Sequence, residues 1–471
     1  MGEGDGVDDM DEKLISPTFT SSISPALSTS PGLWATVRHQ ASRQGRQLEV
    51  GNLATLGLGE AICRVATLVA FVHLARTLTP GGYGQVELTL AILLILTLVV
   101  DQGLGTFGTR EVAREPRLAR PYTRHIILLQ LAAAVVVVGG TVLVCLVSQL
   151  DRTLKLLLIG YSVSLLGFPF HLQWLFQGLR QMRRVAAPQV LRWGLFTALV
   201  FVLVRQPNDI LIIPFSEIVA VAAGAALFLL FLWKLKARRP GGRGQPSVAR
   251  QLSVAGLMKE SLPIGGSNLL WAMRMYLPTV LVGVMATQAV VGYFGTAHRV
   301  LMAFQTFVNV YFMNFLPLVA DKMHRSPGQV VGLIRRSVIL TGTVGLLAAI
   351  VVTVSSPFLV GLVFGEVYAR SQSPVLLSIV VWVIPAFVLR HHARSILIAM
   401  GRQRVELTCS LAGLVGLISA GTALTARYGA AGTAWTMIGS EILAASLSWV
   451  AVKYYWSDRP RYPDETPGPL S

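Results

Sequence analysis

The chain of 471 residues is 53% hydrophobic and only 13% charged, with a mean hydropathy of +0.61. A soluble domain carries about 25% charged residues, so this balance excludes an ordinary soluble protein and points to lipid as the main solvent. The formal charge of +17 would suggest nucleic acid for a soluble chain, but in a membrane protein it is first a topological signal, and no nucleic-acid partner is expected.

Residues 1–12 carry six acids and residues 16–31 are rich in Ser, Thr and Pro. Such a segment cannot bury enough apolar surface to fold, so 1–50 reads as a disordered cytoplasmic tail. Within it, Trp34, Val37, Arg38, Arg43 and Arg46 mark 34–50 as a candidate interfacial helix. Apolar stretches long enough to span a bilayer as helices then recur from Asn52 to Lys453. They predict an all-α polytopic membrane protein with spans near 52–75, 83–105, 124–149, 154–177, 185–204 and 209–235. A second set follows near 257–286, 290–319, 333–356, 374–400, 405–426 and 430–453. The first is too long for a signal peptide and lacks a cleavage pattern. Cys63, Cys145 and Cys409 all fall inside these stretches without metal or disulfide spacing, so they read as small hydrophobes, and no metal or cofactor is implied.

Basic residues alternate between loops. The loops after spans 2, 4, 6, 8 and 10 hold 21, against 6 in the others, and the connection after span 6 alone contributes Lys234, Lys236, Arg238, Arg239, Arg243, Arg250 and Lys259. By the positive-inside rule both termini are cytoplasmic.

The two sets of spans are related. Gly82-Tyr83-Gly84 precedes span 2 and Gly292-Tyr293-Phe294-Gly295 opens span 8. Gly178 with Arg180, Arg183 and Arg184 matches Gly401 with Arg402 and Arg404. Ser216-Glu217-Ile218 matches Ser440-Glu441-Ile442. The offsets are 210, 223 and 224, a drift that loop insertions explain. Six spans is an even number, so both halves enter from the same side as parallel repeats, an organisation in which transporters bind substrate between halves that rock. The predicted domains are an N-lobe at 51–236, a cytoplasmic linker at 237–256 containing Pro240-Gly241-Gly242, a C-lobe at 257–455 and a cytoplasmic tail at 456–471.

Charges at membrane depth are the candidate site, because an ionised side chain there normally faces protein or a water-filled cavity. Arg64 lies about twelve residues into span 1, roughly 18 Å at 1.5 Å per residue, near the middle of a core about 30 Å thick. The repeat sets Arg274 equally deep in span 7. A symmetric arginine pair between the halves suits an anionic group, since guanidinium binds phosphate bidentately. For Arg64 two roles stay open, substrate contact and pairing with Glu60 one turn away. Arg274 has no acid inside its own span, which favours substrate contact. Arg390 in span 10 and His298 and Arg299 in span 8 join the candidate substrate-binding set. The alternatives are snorkelling for Arg299 and Arg394 and a proton relay through His391 and His392. Glu217 and Glu441 serve either ion coupling or pairing with arginines, with pairing favoured. Asp101 is expected to cap or turn the end of span 2, and Glu87 to reach the interface.

A series of short motifs in fixed order resembles one known group. It runs through Leu74-Ala75-Arg76, Pro80-Gly81-Gly82-Tyr83-Gly84, Asp101-Gln102-Gly103-Leu104-Gly105 and Arg110-Glu111-Val112-Ala113-Arg114. It continues in Trp174-Leu175-Phe176-Gln177-Gly178, Ser261-Leu262-Pro263, Gly292-Tyr293 and Phe315-Leu316-Pro317. It ends with Val363-Phe364-Gly365-Glu366, Gly401-Arg402-Gln403 and Tyr428-Gly429-Ala430-Ala431-Gly432. These resemble the polysaccharide, or O-antigen-type, flippases of the multidrug/oligosaccharidyl-lipid/polysaccharide (MOP) superfamily. The resemblance implies a two-lobe fold like that of the MATE transporters, with a cationic central cavity open alternately to each side of a bacterial cytoplasmic membrane. The implied substrate is a polyprenyl-pyrophosphate-linked oligosaccharide moved to the outer leaflet, its pyrophosphate or acidic sugars meeting Arg64 and Arg274. The implied partners are membrane lipids, a polysaccharide polymerase and chain-length machinery. The acidic, Ser-rich tail departs from the family pattern, and the two extra spans usual in lipid II flippases are missing. The competing readings are a MATE-like cation-coupled drug exporter, which usually relies on intramembrane carboxylates, and a membrane polysaccharide polymerase or ligase, which typically carries a long outer loop. A non-transporting scaffold leaves deep arginines unexplained. No catalytic triad, paired carboxylates or phosphate loop stands out, so no enzymatic activity is expected.

Overall fold

The structure is a computed structural model that describes residues 57–237 and 254–457. The proposed tail at 1–50 with its interfacial helix, nearly all of the linker at 237–256 and nearly all of the tail at 456–471 lie outside the described residues. Among those described there are helices, turns and bends and no strand.

Among the described residues, twelve helices are long and apolar enough to cross a membrane. Spans 1 to 6 are Gly57–Thr77, Pro80–Asp101, Pro116–Val147, Arg152–Gly178, Met182–Leu203 and Pro207–Leu235. Spans 7 to 12 are Val254–Met285, Gln288–Met323, Gly328–Phe364, Ser373–Ala399, Gln403–Tyr428 and Ala430–Trp456. The hydropathy reading missed most at the start of span 3 and the end of span 9, where helix continues past the apolar run.

The boundaries have local causes. Thr79 caps span 2, its hydroxyl accepting from Gly82 N at 3.1 Å, and Pro80 occupies the first turn, where a missing N–H costs nothing. Span 2 ends earlier than expected, at Asp101, because Gln102 and Gly103 adopt left-handed backbone conformations, with φ of 51° and 77°. The basic segment beyond is therefore no plain loop. It starts with a helix, Leu104–Arg114, which buries Leu104, Phe107, Gly108 and Val112 on one face and leaves Arg114 exposed. Asp101 Oδ1 accepts from Gly105 N at 3.1 Å and from Gln130 Nε2 at 3.0 Å, which pins that break. Asp151 caps span 4 by accepting from Thr153 N at 3.0 Å.

Because the spans alternate in direction, the loops after even-numbered spans share one end of the bundle, called here the basic end. Within the first six spans, 5 packs on 6, and 4 packs on 2, 3 and 6. Within the second six, 12 packs on 10 and 11, and 10 on 8 and 9. Span 2 carries the most extensive contacts across the two sets, lying against spans 7 and 8.

Candidate functional site

The repeated glycine-tyrosine motifs meet each other. Where spans 2 and 8 start, Gly84 lies so close to Gln288 and Gly292 that a Cβ on it would collide with backbone, and a Cβ on Gly292 would collide with Pro80 O. Two helices approach this closely only where small residues let the backbones touch. Tyr83 and Tyr293, one from each copy, both stand edge-on against Tyr368, with ring centroids 6.0 and 6.1 Å apart. Arg76 at the end of span 1 donates to the carbonyls of Val363 and Leu362 at 3.0 and 2.5 Å. One turn deeper, Arg299 pairs with Glu87, donates to Tyr83 Oη at 3.0 Å and lies over the Phe71 ring. Together these contacts join the first and second six spans at the end opposite the basic one. Glu87 is thus buried in an ion pair between halves and does not reach the interface, and Arg299 does not snorkel. Both sit one to two turns past their glycine-tyrosine motif, the sequence signal that links them.

The remaining deep charges form two further clusters. Glu217 of span 6 accepts from Arg192 of span 5 at 2.5 Å. Glu441 of span 12 accepts from Arg274 of span 7 at 2.5 Å, and Arg274 also donates to Ser410 O at 3.1 Å. Arg390 joins this second cluster, 3.6 Å from Glu441, 3.7 Å from Glu406 and 2.9 Å from Ser410 Oγ. Arg394 also reaches Glu406, at 3.5 Å, so Arg390 and Arg394 share one acid. His298 is buried with Thr279 Oγ1 3.4 Å from Nδ1. His391 and His392 are likewise buried, and His392 Nε2 faces Ser337 Oγ at 2.8 Å.

The expected symmetry between Arg64 and Arg274 is absent. The side chain of Arg274 is 7% exposed, whereas that of Arg64 is 60% exposed and meets only Glu60 among the described ion pairs, at 2.9 Å. Arg274 has an acid after all, contributed by another span. The reason lies in spans 5 and 11. A Cβ at Gly413 would strike the guanidinium of Arg274, so that glycine provides the slot through which Arg274 reaches Glu441. The repeat offsets of 223 and 224 carry Gly413 onto Val190 or Gln189, and carry Arg192 onto Val415 or Gly416. The first half thus has no slot, and fills the same role with an arginine from span 5. Glu217 is satisfied by Arg192, and Arg64 is left facing outward. Sequence reasoning passes over Arg192, although it is an intramembrane cation ten residues into an apolar span.

The sequence profile of the Polysaccharide biosynthesis protein family matches residues 50–323, more than half of the chain. The chain belongs to that family. A putative O-antigen transporter of Shigella dysenteriae is 23% identical over 240 residues, covering 50% of this chain and 59% of that protein, so the chain spans well under two thirds of that relative's length. Among solved structures, the inward-facing form of a multidrug resistance MATE family transporter of the MOP superfamily superposes with a TM-score of 0.68 at 12% identity, covering 86% of this chain and 98% of the other. The lipid II flippase MurJ in an inward closed conformation gives 0.68 at 10% identity, covering 84% and 87%. At such identities the likeness is one of fold. This member of the polysaccharide biosynthesis family is therefore a multi-pass membrane protein with the helical architecture of MATE and MurJ.

Proposed function

We propose that the protein moves a polyprenyl-diphosphate-linked oligosaccharide from the cytoplasmic to the outer leaflet of a bacterial inner membrane, by alternating access between its two halves. In this reading the basic end and both termini are cytoplasmic, the lobes are 51–236 and 257–455, and spans 2 and 8 hold the outer end closed. The observation that carries it is Arg64, a cation within span 1 whose side chain is 60% exposed and whose described ion-pair partner is on its own helix. An ion pair of which both side chains are 60% exposed is costly in hydrocarbon, so in this reading Arg64 and Glu60 line a wet cleft, and the planar donor fork of Arg64 matches a diphosphate.

Arg274, Arg390 and Arg299 already meet acids in this state, and they and His298 come within reach of substrate only if the halves rearrange. Glu217 and Glu441 act by pairing in this scheme. That arrangement counts against a cation-coupled drug exporter, since both carboxylates are engaged by arginine. A polymerase and chain-length machinery are the expected partners downstream of a flippase.

The test is depletion of the protein in cells followed by lipid extraction. Lipid-linked oligosaccharide is expected to accumulate in the cytoplasmic leaflet, shielded from a membrane-impermeant oxidant added outside. Unchanged lipids together with new drug sensitivity would support the exporter instead.

A further inference from the structure

Span 1 is exposed on two faces of opposite character. Glu60 and Arg64 form a charged stripe. About 100° further round the helix, Ala61, Val65 and Val69 form an apolar stripe flanked by Ile62 and Ala66. This apolar stripe and Thr197 of span 5 line a groove of about 390 Å3. The hydroxyl of Thr197 donates to the carbonyls of Ala66 and Trp193 at 3.0 and 2.8 Å, so its polar atom is already engaged. Ile62, Val65 and Val69 are well exposed, as side chains facing lipid are. Polar exposure at membrane depth requires water or a polar ligand, while apolar exposure there requires hydrocarbon. Span 1 is therefore an edge where a wet cleft meets the bilayer.

We propose that the groove between spans 1 and 5 seats the first part of the substrate's polyprenyl chain while its diphosphate lies against Arg64; this rests on the function proposed above. The groove runs about 12 Å from Ala61 to Val69 at 1.5 Å per residue and starts beside the cation. In an amphiphile whose anionic head is bonded directly to its apolar chain, the two must sit side by side, and span 1 offers both surfaces side by side. Lipid tails are as apolar as the groove, so burial in a bilayer supplies little driving force. Selection over bulk acyl chains comes from the tether, since a held head raises the local concentration of its own chain.

The experiment uses full-length protein with benzoylphenylalanine replacing Val65, and a control with the same photoprobe replacing Val354, a lipid-facing position on span 9. Each is reconstituted in phosphatidylethanolamine vesicles containing radiolabelled undecaprenyl diphosphate or, separately, radiolabelled phosphatidylglycerol. Photoadducts with undecaprenyl diphosphate are expected to be enriched about tenfold at position 65 over 354, equivalent to about 1.4 kcal/mol, with phosphatidylglycerol captured equally at both. Equal capture of undecaprenyl diphosphate at the two positions overturns the proposal, as does equal enrichment of both lipids at 65. A second photoprobe at Val69 preserves the test if position 65 disturbs folding. Repeating the capture in Arg64→Ala tests the tether. Loss of the enriched adduct supports the proposal, and its persistence overturns it, because the tether to Arg64 is what selects this chain over bulk lipid.

Discussion

Glu217 and Glu441 stand at matched positions in the two halves, yet each is neutralised from a different direction. In the first half the cation comes from span 5, as Arg192, and in the second from spans 7 and 10, as Arg274 and Arg390. A glycine decides which. Gly413 makes room for Arg274, and the first half has no counterpart. The lesson is that a sequence repeat preserves the position that must be neutralised without preserving the residue that neutralises it, and the arginine left over becomes available for other chemistry.

The largest test of this comparison removes the acids. Glu441→Ala strands Arg274 and Arg390 beside each other in the interior, and breaking a buried ion pair costs about 3–5 kcal/mol, readable as a lowered melting point in detergent. Glu217→Ala is expected to cost less, about 1–3 kcal/mol, because Arg192 is 23% exposed and regains water. A larger loss for Glu217→Ala would break the comparison.

Next in size is Gly413→Val, which blocks the slot. Overpacking of this kind costs about 1–3 kcal/mol and is expected to displace Arg274 from Glu441. Its effect should shrink in an Arg274→Ala background without vanishing, because a side chain at 413 also meets Ala444 Cβ, and the melting points of the four combined proteins check this as a double-mutant cycle. Fully additive losses would show that the contact with Ala444, and not the path of Arg274, is what the glycine serves.

The fold was almost fully legible in the sequence because its two signals are local, apolar length and loop charge. The departures came where backbone torsion overrides hydropathy, as at Gln102 and Gly103, which turn the end of the expected span 2 into the start of a separate helix. Each deep charge was legible as well, apart from Arg192 and Glu406. Their pairings were not, except for Glu60 with Arg64 on one helix face. Arg274 with Glu441, Arg299 with Glu87 and Arg192 with Glu217 each join different helices, and the choice among partners depends on which spans pack together and where a missing side chain opens a path.

The smallest effect on stability belongs to Arg64→Ala. An exposed pair one turn apart contributes about 0.3–0.5 kcal/mol, so the melting point should stay close to that of the wild-type protein. The same substitution tests the central claim, that the arginine released by the asymmetry is the one that meets the substrate. The measurement is translocation of a radiolabelled polyprenyl-diphosphate oligosaccharide across vesicles holding purified Arg64→Ala protein. Transport is predicted to fall to the level of protein-free vesicles while the protein stays folded, and transport at the wild-type rate would contradict the account.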